Sequence, residues 1–154
     1  MKIKRFLGLT LALIILTSVL SVNVFASNAN PTAVYNFVLP DSVNFRHTDP
    51  RLKTDSTPFY VYITGSMNPI VKVEARGYTS YSTNQYDGRA LTWSEGEIVP
   101  YVICWRGSEH WVHQYINEYG FTYASAGFSA AYTYDEISFM WSPDTYDRYT
   151  SAVY

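Results

Sequence analysis

The sequence predicts an all-β fold, an antiparallel sandwich with at most one short helix near 108–119. Three observations carry this. The chain is rich in Tyr, Trp, Val and Thr, with 15 Tyr and 4 Trp among 154 residues, and these side chains suit a pleated, half-buried surface. Gly, Pro, Asn, Asp and Ser interrupt it about every eight to twelve residues, the turn spacing of a sandwich or barrel. Between the interruptions, apolar and polar residues alternate with period two.

The first element is an address. Lys2, Lys4 and Arg5 precede an uncharged apolar run from Phe6 to Val22, and Val24-Phe25-Ala26 supplies small residues for cleavage. This is the pattern of a secretory signal peptide over 1–26, and the run is short for a membrane anchor. Cleavage leaves one domain, 27–154, expected outside the cell with no stable membrane span. Three of the eleven basic residues lie in the leader, so the mature chain sets eight against thirteen acidic ones, about −5. No basic cluster marks nucleic acid as a partner.

Strands are expected at 35–39, 59–64, 70–76, 89–93, 98–105, 121–126, 128–134 and 137–141. In 70–76, Val71, Val73 and Ala75 alternate with Lys72, Glu74 and Arg76. In 59–64, Phe59, Val61 and Ile63 alternate with Tyr60, Tyr62 and Thr64. Gly65 to Pro69 between these two reads as a hairpin loop. Pro100 marks an edge or bulge, residues 78–88 a Tyr-rich surface loop, and Gly127 and Asp135-Glu136 act as breaks. Over 108–120, the apolar residues Trp111, Val112, Tyr115, Ile116 and Tyr119 have helical spacing, with Ser108 as cap and Gly120 as terminator.

Catalytic signatures are missing. His110 and His113 would share a face on a helix, near Glu109 and Glu118, but His-x-x-His lacks the metalloprotease pattern and His47 is the only other histidine. Glu95 and Glu97 read as a solvated turn rather than a glycosidase pair. No nucleophile elbow, phosphate loop or dinucleotide motif occurs. Cys104, the only cysteine, sits among apolar residues and reads as a buried hydrophobe, with a thiol pair to His110 or His113 or an intermolecular disulfide as the sharper alternative. The expectation is therefore no enzyme, no cofactor and no metal.

The aromatics point elsewhere. Tyr60, Tyr62, Tyr78, Tyr81 and Tyr86 are candidate binding residues, because phenols supply rigid contact area with a polar tip. The function expected is a secreted, non-catalytic interaction module for an extracellular protein or glycan. A bacteriocin-like antimicrobial is the alternative, which the negative charge disfavours.

Three stretches carry a resemblance: Arg51-Leu52-Lys53-Thr54-Asp55-Ser56-Thr57-Pro58-Phe59-Tyr60-Val61, Tyr115-Ile116-Asn117-Glu118-Tyr119-Gly120-Phe121-Thr122-Tyr123-Ala124, and Trp141-Ser142-Pro143-Asp144. Together they resemble a family of small secreted proteins of Gram-positive bacteria, of uncharacterised function, ending in Trp-Ser-Pro-Asp. The chain departs from that pattern by running on to Tyr154. The resemblance implies a β-rich secreted domain without known catalysis. A looser likeness, in size and Tyr-rich character, is to lactococcin-type bacteriocins. Within these stretches Glu118, Gly120, Trp141, Pro143 and Asp144 read as structural. Trp141 is expected in the core, Pro143 to end the last strand, and Asp144 to cap a local Asx-type turn.

Overall fold

The computed structural model describes residues 29–145. The leader and the tail from Tyr146 lie outside the described residues. Twelve strands form two packed antiparallel sheets and a small hairpin. The strands are β1 (Thr32–Leu39), β2 (Arg46–His47), β3 (Arg51–Leu52), β4 (Phe59–Gly65), β5 (Ile70–Tyr78), β6 (Arg89–Ala90), β7 (Trp93–Ser94), β8 (Glu97–Ile98), β9 (Val102–Trp105), β10 (Glu109–Val112), β11 (Tyr123–Ala130) and β12 (Asp135–Ser142). The first sheet runs β1-β12-β4-β10. The second centres on β11 paired with β5; β2 and β3 flank β11, while β6 and β9 flank β5. The expected all-β sandwich is therefore observed.

The core follows from the alternation. Phe59, Val61 and Ile63 of β4 and Ile137, Phe139 and Trp141 of β12 point inward from the first sheet. Val71, Val73 and Ala75 of β5 and Ala124, Ala126, Phe128 and Ala130 of β11 face them. Large residues on one sheet meet small ones on the other, so the layers interdigitate. Phe128 stacks on Phe139 at 4.1 Å between ring centres, and Phe37 meets both edge-on. In β1 a bulge between Val34 and Phe37, with Asn36 at φ 53°, shifts the register so that Phe37 and Leu39 point inward while Tyr35 turns out.

Several expectations about individual elements are corrected. The strands β4 and β5 do not form a hairpin: one belongs to each sheet, and 66–69 crosses between layers. Each has a fully apolar face, and packing these face to face buries more than pairing them edge to edge. Buried Asp135 holds the crossing, accepting from Ser66 Oγ (2.6 Å), Met67 N (2.8 Å) and Asn68 Nδ2 (3.1 Å). Asp135-Glu136 is accordingly the start of β12, not a break.

The segment 108–119 is not helical. Glu109–Val112 pairs with β4 as an edge strand, with His110 and Val112 buried and Glu109 and Trp111 facing out. The unpaired edge of β4 outweighs a local helical preference, which survives only as one turn: Tyr119 N donates to Tyr115 O at 3.0 Å. Gly120, at φ 78°, closes that turn as its residue type suggested. The only helix among the described residues is a 3-10 turn at Gln85–Asp87.

Gly127 does not interrupt β11. It lies in mid-strand where His47 and Glu74 cross the sheet, and a Cβ there would meet His47 Nε2 at 2.5 Å. The expected strands 89–93 and 98–105 are each shorter than read, the second being broken around Pro100.

Candidate functional site

The outer face of the first sheet carries an aromatic platform. On β4, Tyr60 and Tyr62 alternate with core residues and so point outward. Cross-strand register sets Trp111 beside Tyr60, and Glu109 and Met140 on either side of Tyr62. Tyr60 and Trp111 meet edge-on with ring centres 6.4 Å apart. Tyr60 donates its hydroxyl to Glu109 Oε1 at 2.8 Å. Burial, with the neighbouring Glu109 carboxylate, pushes the phenol pKa up to about 12, so it stays a neutral donor in ordinary conditions. Two phenols, an indole, a thioether and a carboxylate thus share one half-buried sheet surface.

The remaining candidates lie elsewhere. Tyr78 is buried on the other sheet, its hydroxyl 3.2 Å from Ser125 Oγ and its ring against Gly88. It is a packing residue, which corrects its reading as a binding aromatic. Tyr81 and Tyr86 are exposed on the loop beyond it, at 58% and 84%, and do not join Tyr60 and Tyr62. Trp111 and Met140 were missed. The signal was present as Glu109/Trp111 alternating with His110/Val112, but helical spacing masked it.

The family-like stretches form a buried clasp. Lys53, with no exposed side-chain surface, contacts Asp144 through Nζ and Oδ1 at 2.5 Å and donates to Thr57 O at 2.8 Å. Thr54 donates to Asp144 Oδ2 from its backbone N (3.1 Å) and its Oγ1 (2.8 Å). Asp55 Oδ1 lies 3.6 Å from Lys53 Nζ. The stretch from Tyr115 to Ala124 joins through Lys53 N, which donates to Thr122 O at 2.8 Å. Trp141 is buried against Phe59 and beneath the Arg51 guanidinium. The core role expected for Trp141 is observed, and β12 ends at Ser142, just before Pro143. Asp144 is corrected: it does not cap a local Asx turn but bonds residues 90 and 91 positions away. Glu118 is exposed and lies outside the clasp.

A second polar cluster crosses the outer face of β11. His47 bonds Glu74 Oε1 through Nε2 (2.6 Å) and Gln85 Oε1 through Nδ1 (2.9 Å), and Arg76 Nε donates to Glu74 at 2.7 Å. Glu74, on the charged side of β5, is 4% exposed. Burial alone would raise its pKa, but the bonds from His47 and Arg76 outweigh burial and hold it below its ordinary value of 4.5. A depressed folded-state pKa contributes stability that is present above about pH 4.5 and is lost as pH falls through the folded value. Melting temperature from pH 6 to pH 3 should therefore fall more steeply for the native chain than for Glu74→Gln. Parallel curves would contradict this. Arg46 and His47 also separate two clefts of about 360 Å³ each.

The other sequence candidates are not brought together. His110 is buried and its Nε2 accepts the Trp105 N–H at 2.8 Å, while His113 packs on Trp93 at 5.6 Å. Burial depresses the pKa of both. Because 109–112 is a strand, the shared helical face proposed for His110 and His113 does not exist. Glu95 and Gly96, with φ of 50° and 95°, form the exposed two-residue turn between β7 and β8, and Glu97 opens β8. Cys104 is fully buried on β9 opposite Val71, and burial pushes its thiol well above the usual range, so it is a core hydrophobe. Among the described residues no group of three His, Cys, Asp or Glu is placed to hold a metal, and no helix is long and apolar enough to cross a membrane.

No curated protein and no solved structure matches this chain. Residues 22–145 match the family model described as "Protein of unknown function (DUF2712)", and the chain belongs to that family.

Proposed function

We propose that this is a secreted, non-catalytic binding module of a Gram-positive bacterium that engages a cell-surface glycan or protein through the outer face of the first sheet. The observation that carries the reading is the cluster of Tyr60, Tyr62, Trp111, Met140 and Glu109 on one half-buried outer sheet surface. Rigid aromatics combine large contact area with few rotatable bonds, and the Glu109 carboxylate adds a polar acceptor at the rim. The leader motivates export, and the missing catalytic signatures favour binding over turnover.

Glycan arrays and pull-downs from cell-surface extracts test this with the mature domain. Trp111→Ala should weaken capture by about 2 kcal/mol, roughly thirtyfold, at an unchanged melting temperature. Capture of no glycan and no protein by the native domain would overturn the proposal. A bacteriocin-like role rests on size and export alone. Purified protein that leaves related bacteria growing normally would dispose of it.

A further inference from the structure

Secreted domains gain cross-links from disulfides, yet this chain has one cysteine and that one is buried. The clasp holds the parts of a different cross-link. The Lys53 amine and the Asp144 carboxylate are in contact at 2.5 Å, with side chains 0% and 2% exposed. A second carboxylate, Asp55, sits 3.6 Å from the amine and is fixed by Thr57 N at 2.8 Å. We propose that Lys53 and Asp144 condense to an intramolecular amide, joining the segment after β3 to the end of β12, with Asp55 as the proton carrier.

The surroundings suit the product as well as the reactants. The new amide N–H would keep the bond from Lys53 Nζ to Thr57 O. The remaining oxygen, Asp144 Oδ2, already receives two donors, Thr54 N and Thr54 Oγ1. These two donors would also stabilise charge developing on that oxygen during attack, as in an oxyanion hole. Burial lowers the Lys53 pKa against the opposing pull of Asp144, which favours the neutral amine that attacks.

The step balances without oxidant or cofactor. Asp55 takes one proton from the Lys53 ammonium, and Nζ attacks Asp144 Cγ. The Nζ–Cγ bond forms and the Cγ–Oδ1 bond breaks. Oδ1 leaves as water, carrying the proton returned by Asp55 and a second proton lost from Nζ. Charge is conserved, since an ammonium and a carboxylate become a neutral amide and water. Holding amine and carboxylate in contact in a dry site supplies the proximity such a condensation needs.

Intact mass spectrometry of the denatured, purified mature domain tests this directly. The native chain is expected one water lighter than its residues sum to, and a protease digest should yield a branched peptide joining the segments around 53 and 144. Asp55→Asn changes a partly exposed residue, so it should fold while regaining the mass of that water. A native chain at its full residue mass, with separate linear peptides for the two segments, overturns the proposal. So does an Asp55→Asn variant that remains one water light.

Discussion

Asp144→Ala is expected to destabilise the domain by about 3–5 kcal/mol, because it leaves the Lys53 ammonium buried with its partner gone. For a domain of this size that is a fall of about 10–20 °C in melting temperature. Removing an amide between positions 91 residues apart would add about 4 kcal/mol, the loop-closure entropy returned to the unfolded chain. The double variant Lys53→Met/Asp144→Leu separates net pairing strength from the cost of orphaning a charge. It should be less damaged than Asp144→Ala, since an apolar pair of similar volume leaves nothing unpaired. Thermal melts of the two variants check this, and equal losses would mean that the buried charge is not the source of the penalty.

Trp141→Ala is expected to cost about 3–5 kcal/mol, the usual range for truncating a buried aromatic. The indole fills the space beside Phe59, with ring centres 5.8 Å apart. It also supports Arg51, whose guanidinium lies 5.5 Å from the ring centre and donates to Trp141 O at 3.3 Å. Chemical denaturation reads the loss as a lower midpoint. Because Trp141 and Asp144 belong to one clasp, the losses from the two alanine variants should not add. An unchanged midpoint for Trp141→Ala would place the side chain outside the core.

The clasp explains why motif and local pattern diverge. Period two revealed the inward faces of β4, β5 and β12, because burial on one side of a strand writes itself into every second residue. Partner choice between strands left no such mark. Phe59, Val61 and Ile63 read the same whether their neighbour is β5 in a hairpin or β12 and β10 in a separate layer. Residues 108–119 misled because an edge strand of four residues is too short to establish its own period against Tyr115, Ile116 and Tyr119 beyond it. Long-range polar pairs were illegible for a related reason. Lys53 and Asp144, or His47 and Glu74, are ordinary surface residue types until the chain brings them together under cover.

Two of the five platform residues could be read from sequence. Tyr60 and Tyr62 followed from alternation in β4, whereas Trp111 and Met140 join them only through cross-strand register. Tyr78 shows the limit of composition as a guide, since a phenol suits a covered polar pocket as well as a binding surface. The division that results is between a clasp that secures the fold and an aromatic sheet face proposed for recognition.

Amide chemical-shift mapping tests that division most directly. The domain over 27–154 would be titrated with soluble cell-surface glycan fragments and, separately, with any protein captured in the pull-downs. Saturating shifts centred on Tyr60, Tyr62, Glu109, Trp111 and Met140, with residues 53–55, Ser142 and Asp144 unmoved, are the predicted result. Shifts centred on the clasp with a silent platform would contradict the account.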